Sequence, residues 1–240
     1  MPKISVCVPV YAMKGGRSEK FLVQFFSNLV EQTFKDFDVV VSDQSPDLHL
    51  LSIVDTFRYI LDIKYIQNTS GVNSAANNVN NAIKHATGDV VKLLYMDDFF
   101  VDQNALAKIA HAFDTNPGKW LIGGYLNCNE SRTQFYNAKL PWYGNTYVNG
   151  DNSTGNPSNY AVRRECALEM DENLSWVVDG EYFYRSYYHY GPPIMIKDVI
   201  VCFRDHGDSS FNKDSFRELD AKERQYCSDK FSGVVEHKLI

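Results

Sequence analysis

The sequence predicts an α/β domain built on a mainly parallel central sheet flanked by helices, with a small antiparallel part in its C-terminal half. The main observation is that short apolar runs typical of buried strands alternate four times with segments of helical periodicity. The connections between them are short, which is characteristic of right-handed βαβ units. A length of 240 residues with 44% hydrophobic residues also suits one such domain with a full core.

The first unit contains two strands and the helix between them. The run Ile4–Val10 predicts a buried strand, and Phe37–Ser42 predicts a second one. Between them, Ser18–Gln32 carries apolar residues at helical spacing, with Ser18 as the expected N-cap. The cluster Asp43–Asp47 is typical of a polar turn.

The alternation continues through the next sixty residues. Helices are predicted over His49–Tyr59 and Asn73–Ala86, with a short strand at Ile63–Gln67 between them. A fourth strand, Asp89–Tyr95, runs directly into a pair of acidic residues, and a helix over Gln103–Phe113 follows.

The second half of the chain has a different character. Strands are predicted at Trp120–Leu126 and Ile194–Phe203, and helices at Arg163–Met170 and Asp179–Tyr190. Between them, Asn127–Tyr160 is polar and lacks periodicity. A loop this long inside a compact domain is usually functional, although a purely structural role stays open.

We therefore expect one domain over residues 1–212, divided at residue 100 into two halves (1–100 and 101–212). Residues 213–240 are expected to form a charged helical tail that packs on the domain or serves an oligomer contact. No leader and no apolar stretch of bilayer length is evident, and five dispersed cysteines suit a reducing compartment, so the expected location is cytoplasmic.

The charge of the protein restricts its partners. The formal net charge is −6, and the Lys and Arg clusters are short, which argues against a nucleic-acid-binding protein. An acidic protein that handles a nucleotide needs help with phosphate charge, and a divalent cation is the usual help.

Three acidic positions and one histidine are expected at the ligand-binding edge, because ligands bind beyond the carboxyl ends of parallel strands. Asp97 and Asp98 supply hard oxygen ligands for Mg²⁺ or Mn²⁺, although either could merely cap the next helix. Asp43 could accept from a base or ribose, or belong only to the turn. His206 could complete a metal shell, or be structural.

Two more carboxylates lie where a helix is predicted to begin. Asp179 could act as a general base, or stabilise the helix N-terminus through its charge. Glu181 is the rival for the same role. In the long polar segment, Trp142, Tyr143 and Tyr147 offer aromatic faces that stack on sugar rings, so this segment is the candidate for acceptor recognition.

Several motifs together resemble one known family. They are ISVCVPVY at the start, VVVSDQSPD after the second strand, GVNSAANNVNNAIKHATGD, LLYMDDFF, and VRRECALEMDEN followed by DGEYFYR. In order and spacing, over residues 3–210, the chain resembles the large inverting glycosyltransferase family 2, whose Rossmann-like fold is called GT-A. The LLYMDDFF stretch looks like the metal-binding D-x-D region of that family.

The resemblance implies that residues 1–100 form a nucleotide-sugar half and residues 101–212 an acceptor or catalytic half. It also implies a role for each matching residue. Donor contacts are implied for Pro9, Tyr11, Asp43, Asn77, Asp97 and Asp98. Asp98 would be the direct metal ligand, joined by His206, and Asp179 would be the catalytic base. Contacts with the acceptor are expected from Trp142, Tyr143 and Glu181.

The chain also departs from the family pattern. Ala76 stands where the family usually has Arg or Lys, Phe99 and Phe100 stand where further acids are common, and Val178 replaces a Glu. The turn after the second strand has Ser42 and Gln44 in place of Asp and Gly. These departures bear on donor binding more than on the fold.

The predicted function is metal-dependent transfer of a hexose-type sugar from a nucleotide diphosphate donor to an acceptor hydroxyl, with inversion. A UDP-sugar is the favoured donor, Mn²⁺ or Mg²⁺ the cation, and a saccharide or another hydroxyl compound the acceptor. One alternative is a nucleotidyltransferase that makes sugar nucleotides, using the loop Gly15–Arg17. The other is a non-catalytic carbohydrate-binding module on the same fold.

Overall fold

The computed structural model describes residues 3–72, 74–144, 152, 154–208 and 216–232. Its strands are β1 Ile4–Val10, β2 Phe37–Asp43, β3 Ile63–Gln67, β4 Val90–Leu93, β5 Phe99–Phe100, β6 Trp120–Asn129, β7 Phe135–Lys139, β8 Tyr160–Arg163 and β9 Ile194–Asp205. Its α-helices are α1 Arg17–Val30, α2 Leu51–Phe57, α3 Ala75–Lys84, α4 Ala105–Thr115, α5 Val178–Tyr190 and α6 Phe216–Phe231.

The described strands form one sheet in the order β3-β2-β1-β4-β8-β6-β9-β5, with β7 paired to β6. Strands β1 to β4 pair in parallel, as do β6 and β9. Antiparallel pairing occurs where β8 lies between β4 and β6, and at β5 and β7. The predicted fold class is confirmed, including the antiparallel part.

Hydrophobic side chains cover both faces of the sheet. On β1, Ile4, Val6 and Val8 join one buried cluster with α1, α2 and α4. Cys7 points to the opposite face and joins a second cluster with α3, α5 and α6. This alternation is what a strand buried on both faces requires, because successive side chains point in opposite directions.

The predicted helix over Arg163–Met170 is wrong. Residues 160–163 form β8, and only a single 3-10 turn, Arg164–Cys166, follows. The side chains of Tyr160 to Val162 are fully buried between β4 and β6, so sheet pairing overrides the helical pattern of the following residues.

The long loop predicted over Asn127–Tyr160 is also partly wrong. Its first residues extend β6 to Asn129, and a hairpin returns through β7. A 3-10 turn, Pro157–Asn159, then leads into β8. Hairpin pairing in this segment was not predicted because its side chains are exposed and lack an apolar alternation.

The C-terminal helix α6 packs on the domain through Cys227 and Phe231, which belong to the same buried cluster as α5. All five cysteines are buried and none forms a disulfide. None of the described helices combines the length and the apolar composition that crossing a bilayer requires. The division of the chain at residues 100 and 212 stays a prediction.

Candidate active site

The functional side chains lie where strands end. Val10 at the end of β1 pairs with Asp43 at the end of β2, and the parallel β4 ends next to them at Leu93. The chain then passes through Asp97 and Asp98 before β5. On the other part of the sheet, β9 ends at Asp205, and the next residue is His206.

The Asp98 carboxylate is part of the scaffold of this edge. It is 2% exposed and accepts hydrogen bonds from the Asn156 amide (2.9 Å), the Ser158 hydroxyl (2.6 Å) and the backbone N–H of Arg204 (3.1 Å). Burial, and then the charge of Asp97, raises the pKa of this carboxyl. A direct metal contact by Asp98 is therefore not favoured, because three protein donors already contact its oxygens, and this role stays a prediction.

Asp97 is the acidic residue that remains open at this edge. Its side chain is 23% exposed, and its Oδ2 atom lies 3.0 Å from Nε2 of His206. The two residues are 109 positions apart in the chain, so it is the fold that brings them together. A carboxylate oxygen and an imidazole nitrogen are both atoms that bind divalent cations. In the described residues, no group of three or more His, Cys, Asp or Glu side chains converges on a common point.

The surroundings of His206 hold its ring in place. The backbone N–H of Asp208 donates to Nδ1 (3.3 Å), so the neutral ring carries its proton on Nε2 and donates it to Asp97. The Phe21 ring packs on the imidazole with 5.2 Å between centroids. A cation bound at Nε2 would replace that proton and keep the ring orientation that these contacts fix.

Asp179 lies in the first turn of α5 and has the properties of a base at neutral pH. The residue is half-buried, and desolvation raises the pKa of its carboxyl to about 7. No hydrogen-bond donor in the described part of the chain contacts this carboxylate. It is therefore free to accept a proton from a substrate.

The phenol of Tyr95 interacts electrostatically with Asp179 and with the acidic pair Asp97 and Asp98. Burial raises the pKa of Tyr95 well above its usual value, and the negative charges of Asp179, Asp97 and Asp98 raise it further. The charges of all three carboxylates therefore act on this one phenol. Of the three, Asp98 is the one whose oxygens are engaged by hydrogen bonds from the protein.

Asp43 lies beneath a tyrosine in this structure. Its side chain is fully buried, one oxygen accepts from the backbone N–H of Ser45 (2.8 Å), and the other accepts from the Tyr65 hydroxyl (2.8 Å). A direct contact with a nucleoside requires the Tyr65 hydroxyl to leave Asp43, and it stays a prediction.

The loop after β1 presents Tyr11 to solvent beside this edge. Tyr11 is 44% exposed and Pro9 is half-buried. The Ser18 hydroxyl donates to the Tyr11 carbonyl (3.0 Å) and accepts from the Met13 N–H, which ties the loop to the start of α1. Tyr11 therefore offers a positioned ring that a nucleobase could stack on.

Asn77 joins loops rather than presenting an open amide. Its oxygen accepts from Gln44 (2.9 Å), Asn68 (3.0 Å) and Ser70 (2.7 Å). Its Nδ2 donates to both Glu172 oxygens at 3.1 Å. With its polar atoms engaged, Asn77 shapes the turns after β2 and β3, and a direct donor contact is not favoured.

Glu181 is engaged in ion pairs inside the protein, which disfavours the predicted contact with the acceptor. It is fully buried, and its carboxylate pairs with Arg185 (2.8 Å) and with Lys230 of α6 (2.8 Å). A buried carboxylate needs such partners to offset its desolvation, and here they hold α5 and α6 together. Burial and these ion pairs disfavour Glu181 in the role of base, and the choice between Glu181 and Asp179 stays a prediction.

The aromatic candidates for acceptor binding differ in how far they are exposed. The Trp142 side chain is 60% exposed. Tyr143 stacks on Tyr187 of α5 at 4.7 Å and meets Trp120 edge-on at 5.6 Å, so it is part of the packing. Tyr147 lies outside the described residues. Trp142 is the exposed candidate.

Sequence reasoning missed Lys92, which lies in β4 and is fully buried. Its ammonium donates to the backbone carbonyls of Ser158, Leu93 (2.9 Å) and Tyr160 (3.3 Å), and burial lowers its pKa to about 7. Lys92 thereby holds the turn whose Ser158 supports Asp98. A lysine inside the apolar run VVKLL was the available signal.

Curated relatives match part of the chain, and two of them illustrate the extent of the match. The poly(ribitol-phosphate) beta-N-acetylglucosaminyltransferase TarS of Staphylococcus aureus is 33% identical over 124 residues, which cover 51% of this chain and 21% of TarS. The GalNAc(5)-diNAcBac-PP-undecaprenol beta-1,3-glucosyltransferase of Campylobacter jejuni is 31% identical over 105 residues, which cover 41% of this chain and 30% of that protein. The matched segments therefore span less than a third of either relative.

Solved structures share the fold over nearly the whole chain. TarS residues 1–349 in complex with UDP-GlcNAc superpose with a TM-score of 0.70 at 21% identity, covering 92% of this chain and 66% of that one. The mannosyltransferase PcManGT of Pyrobaculum calidifontis, in complex with GDP-Man and Mn²⁺, gives 0.61 at 16% identity, covering 93% and 62%. The sequence model "Glycosyl transferase family 2" matches residues 5–169. With the GT-A fold and this match over more than half of its length, the chain belongs to glycosyl transferase family 2.

Proposed function

We propose that this protein transfers a hexose-type sugar from a nucleotide diphosphate donor to an acceptor hydroxyl, with inversion at the anomeric carbon. The observation that carries the proposal is the Asp97–His206 pair at the carboxyl edge of the parallel sheet, and the charges of Asp97 and Asp179 both act on the Tyr95 phenol. A UDP-sugar is the favoured donor. The support is that a structure of the same fold holds UDP-GlcNAc, while another holds GDP-Man with Mn²⁺.

The residues at this edge fit a divalent cation. A carboxylate oxygen and an imidazole nitrogen 3.0 Å apart form a donor set that suits Mn²⁺, and diphosphate oxygens and water can fill the remaining positions. Asp97 and His206 would hold the ion, while Asp98 supports the segment that carries Asp97. When bound, the cation neutralises charge on the departing nucleoside diphosphate.

The chain's own residues account for the rest of the reaction. Asp179 takes the proton from the acceptor hydroxyl while the hydroxyl oxygen bonds to the anomeric carbon. The bond from that carbon to the diphosphate oxygen breaks on the opposite face, and its electron pair leaves with the nucleoside diphosphate. A carboxylate with a pKa of about 7 matches this task, because it is half ionised at neutral pH and gains a proton readily.

Two further residues fit the substrates. Tyr11 is placed to stack on the nucleobase, since its ring is exposed beside the ends of β1 and β2. Trp142, also exposed, is the proposed platform for a sugar ring of the acceptor. Trp142→Ala should raise the KM for the acceptor and leave the affinity for UDP unchanged.

The loop Gly15–Arg17 does not favour the nucleotidyltransferase alternative. Arg17 is bound by Glu130 (3.1 Å) and Asp208 (2.9 Å), so its guanidinium is already neutralised. The two alternatives also differ in their products. Release of pyrophosphate from UTP and a sugar phosphate would favour the nucleotidyltransferase, and failure to cleave any donor would favour a binding module.

Donor binding provides the first test. Isothermal titration with UDP, GDP, UDP-GlcNAc and GDP-mannose should show binding that MnCl₂ strengthens by at least about tenfold, or 1.4 kcal/mol. His206→Ala should remove this effect of Mn²⁺ and leave the metal-free affinity unchanged. Absence of binding to every one of these nucleotides, with and without Mn²⁺, would refute the proposal.

A further inference from the structure

One carboxylate of the C-terminal helix reaches the loop that precedes α5. Glu223 of α6 is 5% exposed. Its Oε1 atom accepts from the backbone N–H of Ser175 (2.9 Å), and its Oε2 atom accepts from Trp176 (2.8 Å) and Val177 (3.0 Å). Three consecutive amides therefore point at a single side chain that comes from another element.

These amides belong to the N-terminal end of α5. Val177 is the N-cap residue of this helix and its side chain provides no capping hydrogen bond. The first N–H groups of a helix lack partners within the helix, and its N-terminus carries partial positive charge. Glu223 places an anion beside this end of α5 and accepts from the N-cap amide of Val177 and from the two amides that precede it.

The rest of α6 is attached to the same stretch of chain. Asp220 accepts from the indole N–H of Trp176 (2.8 Å), and Lys230 contacts both Asp171 and Glu181. The Phe231 ring packs on Tyr184 of α5 at 4.5 Å. The helix therefore contacts the stretch around the start of α5, and α5 itself, at several positions along its length.

The base itself has no comparable anchor. The Asp179 carboxylate contacts no hydrogen-bond donor in the described residues, so its position depends on the backbone of the first turn of α5. That turn begins at Val178, directly after Val177, where the Glu223 hydrogen bonds end, and Asp179 is two residues beyond Val177. A shift of about 1 Å in a reacting group can lower a rate by about 100-fold.

We propose that Glu223 is a positioning residue that holds the first turn of α5, and with it Asp179, in register with the donor site. The inference rests on the proposed function, in which Asp179 is the base. It makes α6 part of the catalytic apparatus, whereas the sequence suggested a tail or an oligomer contact.

The test compares three variants in one assay, the release of UDP from UDP-GlcNAc in the presence of MnCl₂ with water as acceptor. Glu223→Ala should lower kcat by about 100-fold, with the KM for UDP-GlcNAc within about twofold of wild type. Glu223→Gln keeps the side-chain volume and one acceptor oxygen, so its kcat should lie between that of the wild type and that of Glu223→Ala. Asp220→Asn is the matched control, because it weakens a contact between the same helix and the same loop but keeps the three backbone bonds. Its kcat should stay within about twofold of wild type.

Thermal unfolding of each variant distinguishes a loss of folding from a displacement of Asp179 in a folded protein. If Glu223→Ala does not fold, the kcat of Glu223→Gln provides the test instead. In an Asp179→Asn background, Glu223→Ala should lower kcat no further, because there is no base left to position. A Glu223→Gln variant with wild-type kcat, or one that loses only thermal stability, would overturn the inference and leave the proposed function intact. If Asp179→Asn itself keeps full activity, or if the wild type cleaves no donor, the proposed function fails instead.

Discussion

The adjacent residues Asp97 and Asp98 should respond to mutation in opposite ways, although they are chemically identical. Asp98 is 2% exposed and accepts three hydrogen bonds from the protein, whereas the Asp97 side chain is 23% exposed and contacts only His206 among the described groups. We expect Asp98→Ala to affect stability and Asp97→Asn to affect the binding of Mn²⁺.

The loss of stability in Asp98→Ala follows from the donors left behind. The half-buried Asn156 amide can turn to water, so the unpaired groups are the buried Ser158 hydroxyl and the Arg204 N–H. Each unsatisfied buried donor costs about 1–3 kcal/mol. Removing a carboxyl whose pKa is raised by burial offsets part of this, because that group was itself poorly solvated. We expect a net loss of about 3 kcal/mol, which lowers Tm by roughly 6–12 °C in a protein of this size.

Asp97→Asn should leave the fold nearly unchanged, because the amide oxygen can still accept from Nε2 of His206. It removes the negative charge that the cation needs, so the strengthening of UDP binding by Mn²⁺ should fall by at least about tenfold. Urea unfolding measures the first effect and titration calorimetry the second.

The reasoning would be refuted by the reverse result. If Asp98→Ala or Asp98→Asn keeps wild-type stability but loses the effect of Mn²⁺, Asp98 is the ligand and its hydrogen bonds in this structure are secondary. A stability loss above about 2 kcal/mol in Asp97→Asn would show that the pair with His206 is structural.

Three other predictions concern buried ionisable groups. Asp179→Asn should lower kcat by about 10²- to 10⁴-fold with unchanged UDP affinity. Steady-state release of UDP measures kcat, and a variant with wild-type kcat would contradict the prediction. Because Asp179 acts only when ionised, wild-type kcat should rise with pH through a midpoint of about 7, and a flat profile between pH 5.5 and 8.5 would contradict its role. Lys92 has a lowered pKa of about 7, so between pH 7 and pH 10 the unfolded chain binds more protons at this residue than the folded one. Over that range the free energy of unfolding of the wild type should therefore increase relative to that of Lys92→Met. Urea unfolding of both proteins at pH 7 and pH 10 measures this, and an equal difference between the two proteins at both pH values would contradict it.

Much of the fold could be read from the sequence because β1, β2 and β4 are apolar runs buried on both faces, each ended by polar residues. The misassigned β8 shows the limit of this reading. Its residues lie between two strands from distant parts of the chain, and a pairing of that kind leaves no local pattern.

The candidate site was found in outline because its residues follow strand ends. Sequence could not separate Asp97 from Asp98, since the difference depends on Asn156, Ser158 and Arg204, which lie about 60 and 106 residues away. The ion pair of Glu181 did leave a local signal, because Arg185 follows it at the i,i+4 spacing typical of an ion pair on a helix.

Under the proposed function, the pairing of Asp97 with His206 makes the cation site depend on contacts between distant parts of the chain. His206 follows β9, which lies between β6 and β5, and 109 positions separate the two proposed ligands. A nascent chain that stops before β9 would hold half of the site. Added Mn²⁺ would then favour only completely assembled molecules, and by mass action the ion would select for them.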